Sequence, residues 1–145
     1  MSEKENKALV NAFVEEVWNR KNLAAVDKYF APDHIEHDLA RPDWTGGRED
    51  ARQAIADFTS AFPDCHVTYD DVLAEGDRVA VRLSCRATHK GEFMGVGPTG
   101  RAVAFGGLSI IRLSSGRIVE IWEIIDSPGL IRQIRAAPPL PEKRE

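Results

Sequence analysis

Cysteine is nearly absent from this chain of 145 residues, with Cys65 and Cys85 the only two. They form no CxxC pair and no zinc spacing, which excludes a disulfide framework and a thiolate metal centre. Both are expected to be reduced and to behave as small hydrophobes. Basic runs are missing as well. Lys and Arg total 19 against 23 Asp and Glu, for a net charge of −4. The electrostatic footprint of a nucleic-acid binder is therefore absent. No apolar stretch is long enough to span a membrane. The opening "MSEKENKALV" mixes charges instead of following basic residues with a greasy run, as a signal would. These absences predict a cytoplasmic protein with neither nucleic acid nor membrane as partner. The chain also lacks a P-loop, a GxGxxG after a strand, a GxSxG and any internal repeat. Nucleotide-dependent and serine-nucleophile chemistry are not expected.

What is there suits one globular domain: 43% hydrophobic and 29% charged residues, in a length that permits a real core. Ser2 and Glu5 have capping-box spacing. Leu9, Phe13 and Val17 recur four apart beside Val10, Val14 and Trp18, which predicts a helix to about Arg20. Asn22 is placed to cap a second helix through Leu23, Val26, Tyr29 and Phe30, ended by Pro32. "PDHIEHDLARPDWTGG" reads as extended or irregular. A third helix, "REDARQAIADFTSAF", presents Ala51, Ile55, Phe58 and Phe62 and stops at Pro63. The chain then alternates. "DCHVTYDDVLAEGD" and "RVAVRLSCRATHKG" read as strands turning at Glu75-Gly76-Asp77. "RAVAFGGLSIIRLSSG" and "RIVEIWEIID" form a second pair, and "GLIRQIR" a last short helix. The expectation is an α+β fold over 1–135 with a flexible C-terminal tail at 136–145.

Two glutamates interrupt the apolar run Ile118–Ile125. Burying a carboxylate without a partner is costly, so Glu120 and Glu123 need a reason to be there. Strand periodicity puts them on opposite faces. Val119, Ile121, Glu123 and Ile125 share one, while Ile118, Glu120, Trp122 and Ile124 share the other. The preceding strand contains Gly106 and Gly107, where glycine gives no side chain to pack. Gly107 and Ser109 share a face. If that face is also Glu123's, the sheet has a hollow with a carboxylate at its wall, the usual form of a small-molecule site. Leu108, Ile110, Trp122 and Ile124 then form an outer apolar face suited to a homodimer, with Glu120 at its rim or paired with Arg112.

Histidines are the other candidates. His34 and His37 have HxxH spacing, but an extended segment sends them to opposite faces, so no metal site is expected. His37 falls with Ile35 and Leu39 and is expected to point inward. His89 shares the face of Val79, Val81, Leu83 and Cys85, with the same consequence. Phe93 and Met94, on the glycine-rich connection "EFMGVGPTG", are placed to close a pocket mouth. Trp44, on its loop, fits core or interface as well as a substrate contact.

The element order, with "FAPDHIEHD", "THKGEFMGVGPTGRAVAF", "GRIVEIWEIID" and "GLIRQI", resembles the SnoaL-like polyketide cyclases of the nuclear transport factor two-like superfamily. The resemblance implies a cone of curved antiparallel (mixed) sheet, with three N-terminal helices packed on its concave face and a homodimer through the sheet. It implies cofactor-free chemistry on a small apolar or aromatic carbonyl substrate, in which an acid on the last long strand mediates an intramolecular aldol closure. That acid corresponds to Glu123, one methylene longer than the family's Asp. Ser109 stands where some cyclases have an inward His, and Glu36 where a pocket Asn is found. His37 and His89 are then candidate donors to the enolate or carbonyl. Epoxide hydrolysis, double-bond isomerisation and non-catalytic ligand binding are alternatives on the same scaffold, although no second acid is evident on Glu123's face.

Overall fold

In the computed structural model, which describes residues 1–136, the Ser2 hydroxyl accepts from the Glu5 amide while the Glu5 carboxylate accepts from the Ser2 amide. Helix α1 (Glu3–Phe13) thus starts at its predicted capping box and continues as a π-helical turn over Val14–Asn19. Val10, Phe13, Val14 and Val17 form its buried stripe. The Asn19 side chain donates to the Val67 carbonyl and accepts from the Val67 amide, and Lys21 Nζ donates to the Cys65 carbonyl. These bonds occupy the first backbone groups of an edge strand that would otherwise be open.

The second predicted helix is shorter than its pattern suggests. A 3₁₀ turn at Leu23–Ala25 leads into α2 (Val26–Tyr29), and Asn22 makes no side-chain cap. The chain is already extended at Phe30, so strand β1 (Phe30–Asp38) contains Pro32. The short β2 (Thr45–Gly46) and α3 (Arg48–Ala61) follow, the helix ending just before Pro63. Strands β3 (His66–Glu75), β4 (Arg78–Thr88), β5 (Ala102–Ser114) and β6 (Arg117–Ile125) run as two hairpins, and α4 (Ser127–Arg135) closes the domain. Asp126 caps α4 by accepting from the Gly129 amide. A Cβ on Gly129 would lie 2.2 Å from that carboxylate, so glycine here lets the carboxylate sit close over the helix start. The tail expected at 136–145 lies almost wholly outside the described residues.

The six strands form one open sheet in the order β2-β1-β6-β5-β4-β3. Only β1 and β6 pair in parallel; every other neighbour is antiparallel. The α+β class and the mixed sheet are as expected. Two bulges reset side-chain parity. Arg112 pairs with Glu120 but Leu113 with Ile118, so Val119 is an extra residue and Ile118 turns inward, fully buried, instead of sharing Glu120's face. On β3, Tyr69 pairs with Leu83 and Asp71 with Arg82, which leaves Asp70 as the extra residue. Among the described residues no helix is long and apolar enough to cross a membrane.

Candidate active site

Cross-strand register places the inner-face residues in rows. Val79, Ile111 and Ile121 make one row, continued on β1 by Glu36. Val81, Ser109, Glu123 and Asp38 make the next, and Tyr69, Leu83, Gly107 and Ile125 a third. One end of this face is filled, with Val79, Ile111, Leu113, Ile118 and Ile121 all buried. At the other end Tyr69, Phe105, Gly107, Glu123 and Ile125 keep accessible surface although they face inward. The inner face is therefore sealed around Ile111 and Ile121 and keeps some accessible surface around Glu123, where Tyr69, Phe105 and Ile125 pack partly exposed against the core.

Burial pushes the Glu123 carboxyl up to about 8, helped by the negative charges of Glu36 and then Asp38. No histidine or arginine bonds to it among the described residues. At neutral pH most of the population is protonated, with a minority, about a tenth, as carboxylate. Asp38 is held away by its own contacts, accepting from the Ala40 amide and from Arg41 Nε. Glu36 sits 2.6 Å from His34 Nε2. His34 is buried, and its ring stacks on Phe30 at 4.3 Å.

The structure corrects the reading of β1. Asp38 pairs with Glu123 and Glu36 with Ile121, so His34, Glu36 and Asp38 face inward and Ile35 and His37 face outward. His37 is on the outer surface, stacked on Trp122 at 5.1 Å with Nε2 2.6 Å from Glu120. Ile35 and Leu39, 39% and 53% exposed, belong to the outer apolar face, and their alternation gave the wrong phase. The second acid that seemed missing is present twice, as Glu36 and Asp38. Glu120 is paired with Arg112 as anticipated, through Nε and Nη2.

The remaining candidates divide. Ser109 faces Glu123 across the ladder, and Gly107 shares its face. Gly107 does not enlarge the hollow, however, because a Cβ there would lie 2.6 Å from Ile125 Cδ1; the space is taken by that side chain. His89 is inward and fully buried, packed on Phe62. Its Nδ1 accepts from the Thr99 amide, while Nε2 has no partner among the described residues. Phe93 packs edge-on against Phe58 and Phe62. Met94 is not part of that cluster: it occupies a tight turn with positive φ and is 60% exposed. Trp44 lies against Gly46 beneath the Arg41 guanidinium, at the β2 edge. Sequence reasoning missed His34, Asp38 and Tyr69. The available signal was the alternation of His34, Glu36 and Asp38, a polar stripe on one face of a strand. Among the described residues no three His, Cys, Asp or Glu side chains converge as a metal site.

The chain matches the model of the SnoaL-like polyketide cyclase family over residues 8–134. It is 34% identical to AclR of Streptomyces galilaeus, a suggested hydroxylase, with a TM-score of 0.85 over 94% of this chain and 100% of that one. It is 32% identical to IdmH of Streptomyces antibioticus, a suggested polyketide cyclase, with a TM-score of 0.79 over 89% and 97%. A suggested polyketide cyclase of Acidithiobacillus ferrooxidans is 28% identical, with a TM-score of 0.80 over 95% and 100%. No curated protein matches it in sequence.

Proposed function

The chain belongs to the SnoaL-like polyketide cyclase family, and from that premise we propose a cofactor-free enzyme of cyclase type, with Glu123 as general acid/base. The substrate is a small, mostly apolar molecule with carbonyl groups. The carboxylate form of Glu123 removes a proton alpha to one carbonyl, the resulting carbon closes on a second, and Glu123 returns the proton to the new alkoxide. A positioned acid/base contributes about 10²–10⁴-fold, roughly 3–5 kcal/mol of barrier. Three carboxyl groups on the inner face favour a substrate that is neutral over one that is anionic.

The observation that supports this reading is Glu123 itself: a carboxyl pushed up to about 8 on a face that stays open. Such a group exchanges protons near neutral pH, which an ordinary surface glutamate does not. Epoxide opening is a second reading, favoured by Glu36 and Glu123 sharing the inner face. A homodimer through the outer face belongs to the same proposal.

The test is ring closure of synthetic linear polyketones followed by mass spectrometry. Turnover in the wild type rises with pH through about 8. Glu123→Gln lowers it by about 10²-fold or more and flattens the profile. A folded Glu123→Gln variant with full turnover removes the carboxyl from the chemistry.

A further inference from the structure

Tyr69 has no part in the proton exchange just described, yet it stands on the same inner face. The β3 bulge at Asp70 fixes its side there, and it begins the row that runs through Leu83 and Gly107 to Ile125. That row adjoins the row of Val81, Ser109 and Glu123, so Tyr69 on β3 and the carboxyl on β6 stand on the same face with β4 and β5 between them. Between them Ser109 is small, while the space over Gly107 is filled by the Ile125 side chain.

Its hydroxyl is uncommitted. A Tyr O–H that goes into a protein interior usually finds a partner. Tyr69 has none among the described residues, and its oxygen is not one of the polar atoms sealed from solvent. Tyr29, the other tyrosine, shows the ordinary case, donating to Glu16. Burial, and then the charges of Glu123 and Glu36, hold the Tyr69 proton in place, so the phenol stays a neutral donor.

The geometry points to Tyr69 as a further catalytic residue, its O–H donating to the substrate oxygen that becomes negative when Glu123 takes the alpha proton. This rests on the reading of Glu123 above. The C–H electron pair forms the enolate double bond, and the carbonyl π pair moves to the oxygen held by Tyr69. Tyr69 shares its proton and keeps it. The enolate carbon then bonds to the second carbonyl carbon, whose oxygen takes the proton from Glu123, so no oxidant, reductant or leaving group is required. A preorganised donor at such an oxyanion is worth about 10²–10³-fold.

Two tyrosines in the chain make the test direct. With an isotope label on Cζ, the protein gives one resonance for each, and Tyr69→Phe assigns them. The substitution removes an oxygen with no protein partner, so the fold is retained. The probe is para-nitrophenol, whose ionisation is read by absorbance. Saturating probe shifts the Tyr69 resonance and leaves Tyr29 in place. In Tyr69→Phe the probe binds about 10-fold more weakly, as for loss of one hydrogen bond to a charged acceptor, and ionises at higher pH. Polyketone turnover falls mainly through kcat. An unmoved Tyr69 resonance, an unchanged affinity in Tyr69→Phe, or no binding to the wild type at millimolar probe overturns the inference. Glu123→Gln separates it from its premise. If Glu123→Gln abolishes turnover while Tyr69→Phe changes nothing, only the Tyr69 role fails. If Tyr69→Phe weakens the probe while Glu123→Gln retains full turnover, the acid/base premise fails, and the catalytic role of Tyr69 with it.

Discussion

His34 Nε2 lies 2.6 Å from Glu36 Oε1, while His34 Nδ1 lies 3.3 Å from the Ile118 carbonyl oxygen. The carbonyl can only accept, so Nδ1 carries a hydrogen and donates. One further proton then sits between Nε2 and the carboxyl, on one or the other. The two side chains thus form one hydrogen-bonded unit, and the Phe30 ring stacked on the imidazole fixes its orientation.

Removing the histidine tests that pairing. His34→Leu leaves Glu36 inward-facing without its partner, which costs roughly 1.5–3 kcal/mol, the range for a lost hydrogen bond to a charged group. His34→Leu combined with Glu36→Leu recovers much of the loss, because no unpaired polar group remains. Urea titrations of the single and double variants at neutral pH measure the coupling. Additive losses would mean that the two side chains do not form a unit.

Glu123 makes a prediction about stability against pH, and its sign is opposite to that of a salt-bridged carboxylate. Its folded value, about 8, lies above the ordinary glutamate value of 4.5, so between those limits the folded state holds a proton that the unfolded chain has lost. Stability therefore falls as pH rises through that window, at up to about 1.4 kcal/mol per pH unit, and levels off above it. Glu123→Gln has no such proton to lose. The variant should match the wild type near pH 4.5 and exceed it above pH 8. Denaturation midpoints that run parallel across the window would show that Glu123 is not shifted.

Why Glu123 was legible and His34 was not comes down to which neighbours set the phase. In "RIVEIWEII" the apolar residues flanking Glu123 are local, and its side follows from simple alternation. On β1 the phase is set by parallel pairing with β6, more than eighty residues along the chain, and the register shift between Phe30 and Ile35 erases the local count. Ile35 and Leu39 misled further, since a sheet with an apolar outer face has two faces that look like a core. Ile118 and Tyr69 turn on single-residue bulges at Val119 and Asp70, where one extra residue reverses every side chain beyond it. The order of helices and hairpins was readable because the Ser2–Glu5 capping box, the glycine turns and the stop before Pro63 are local signals, whereas Pro32 falls inside β1.

The outer face supplies the last prediction. Leu108 pairs with Ile124 and Ile110 with Trp122. Leu108, Ile110 and Ile124 remain 41–56% exposed in the single chain, neighbouring apolar side chains of the kind that mark an interface. A shallow groove over Ser84, Ala104 and Gly106 lies beside Leu108, with room for a side chain from a second copy. At the margin, Trp122 is sandwiched between His37 and the Arg78 guanidinium, and Arg112 and His37 both bond to Glu120. This polar rim keeps its charges satisfied when the apolar centre is covered. Light scattering should return twice the 16.1 kDa chain mass at micromolar concentration. Ile110→Lys puts a charge at the centre of the patch without touching the inner core, because Ile110 points outward. Burying that unpaired charge costs about 3–5 kcal/mol, so the dissociation constant should rise by about 10²-fold or more while circular dichroism stays unchanged. A wild-type monomer at that concentration, or an Ile110→Lys dimer of unchanged affinity, would place the interface elsewhere and leave this apolar surface without a partner.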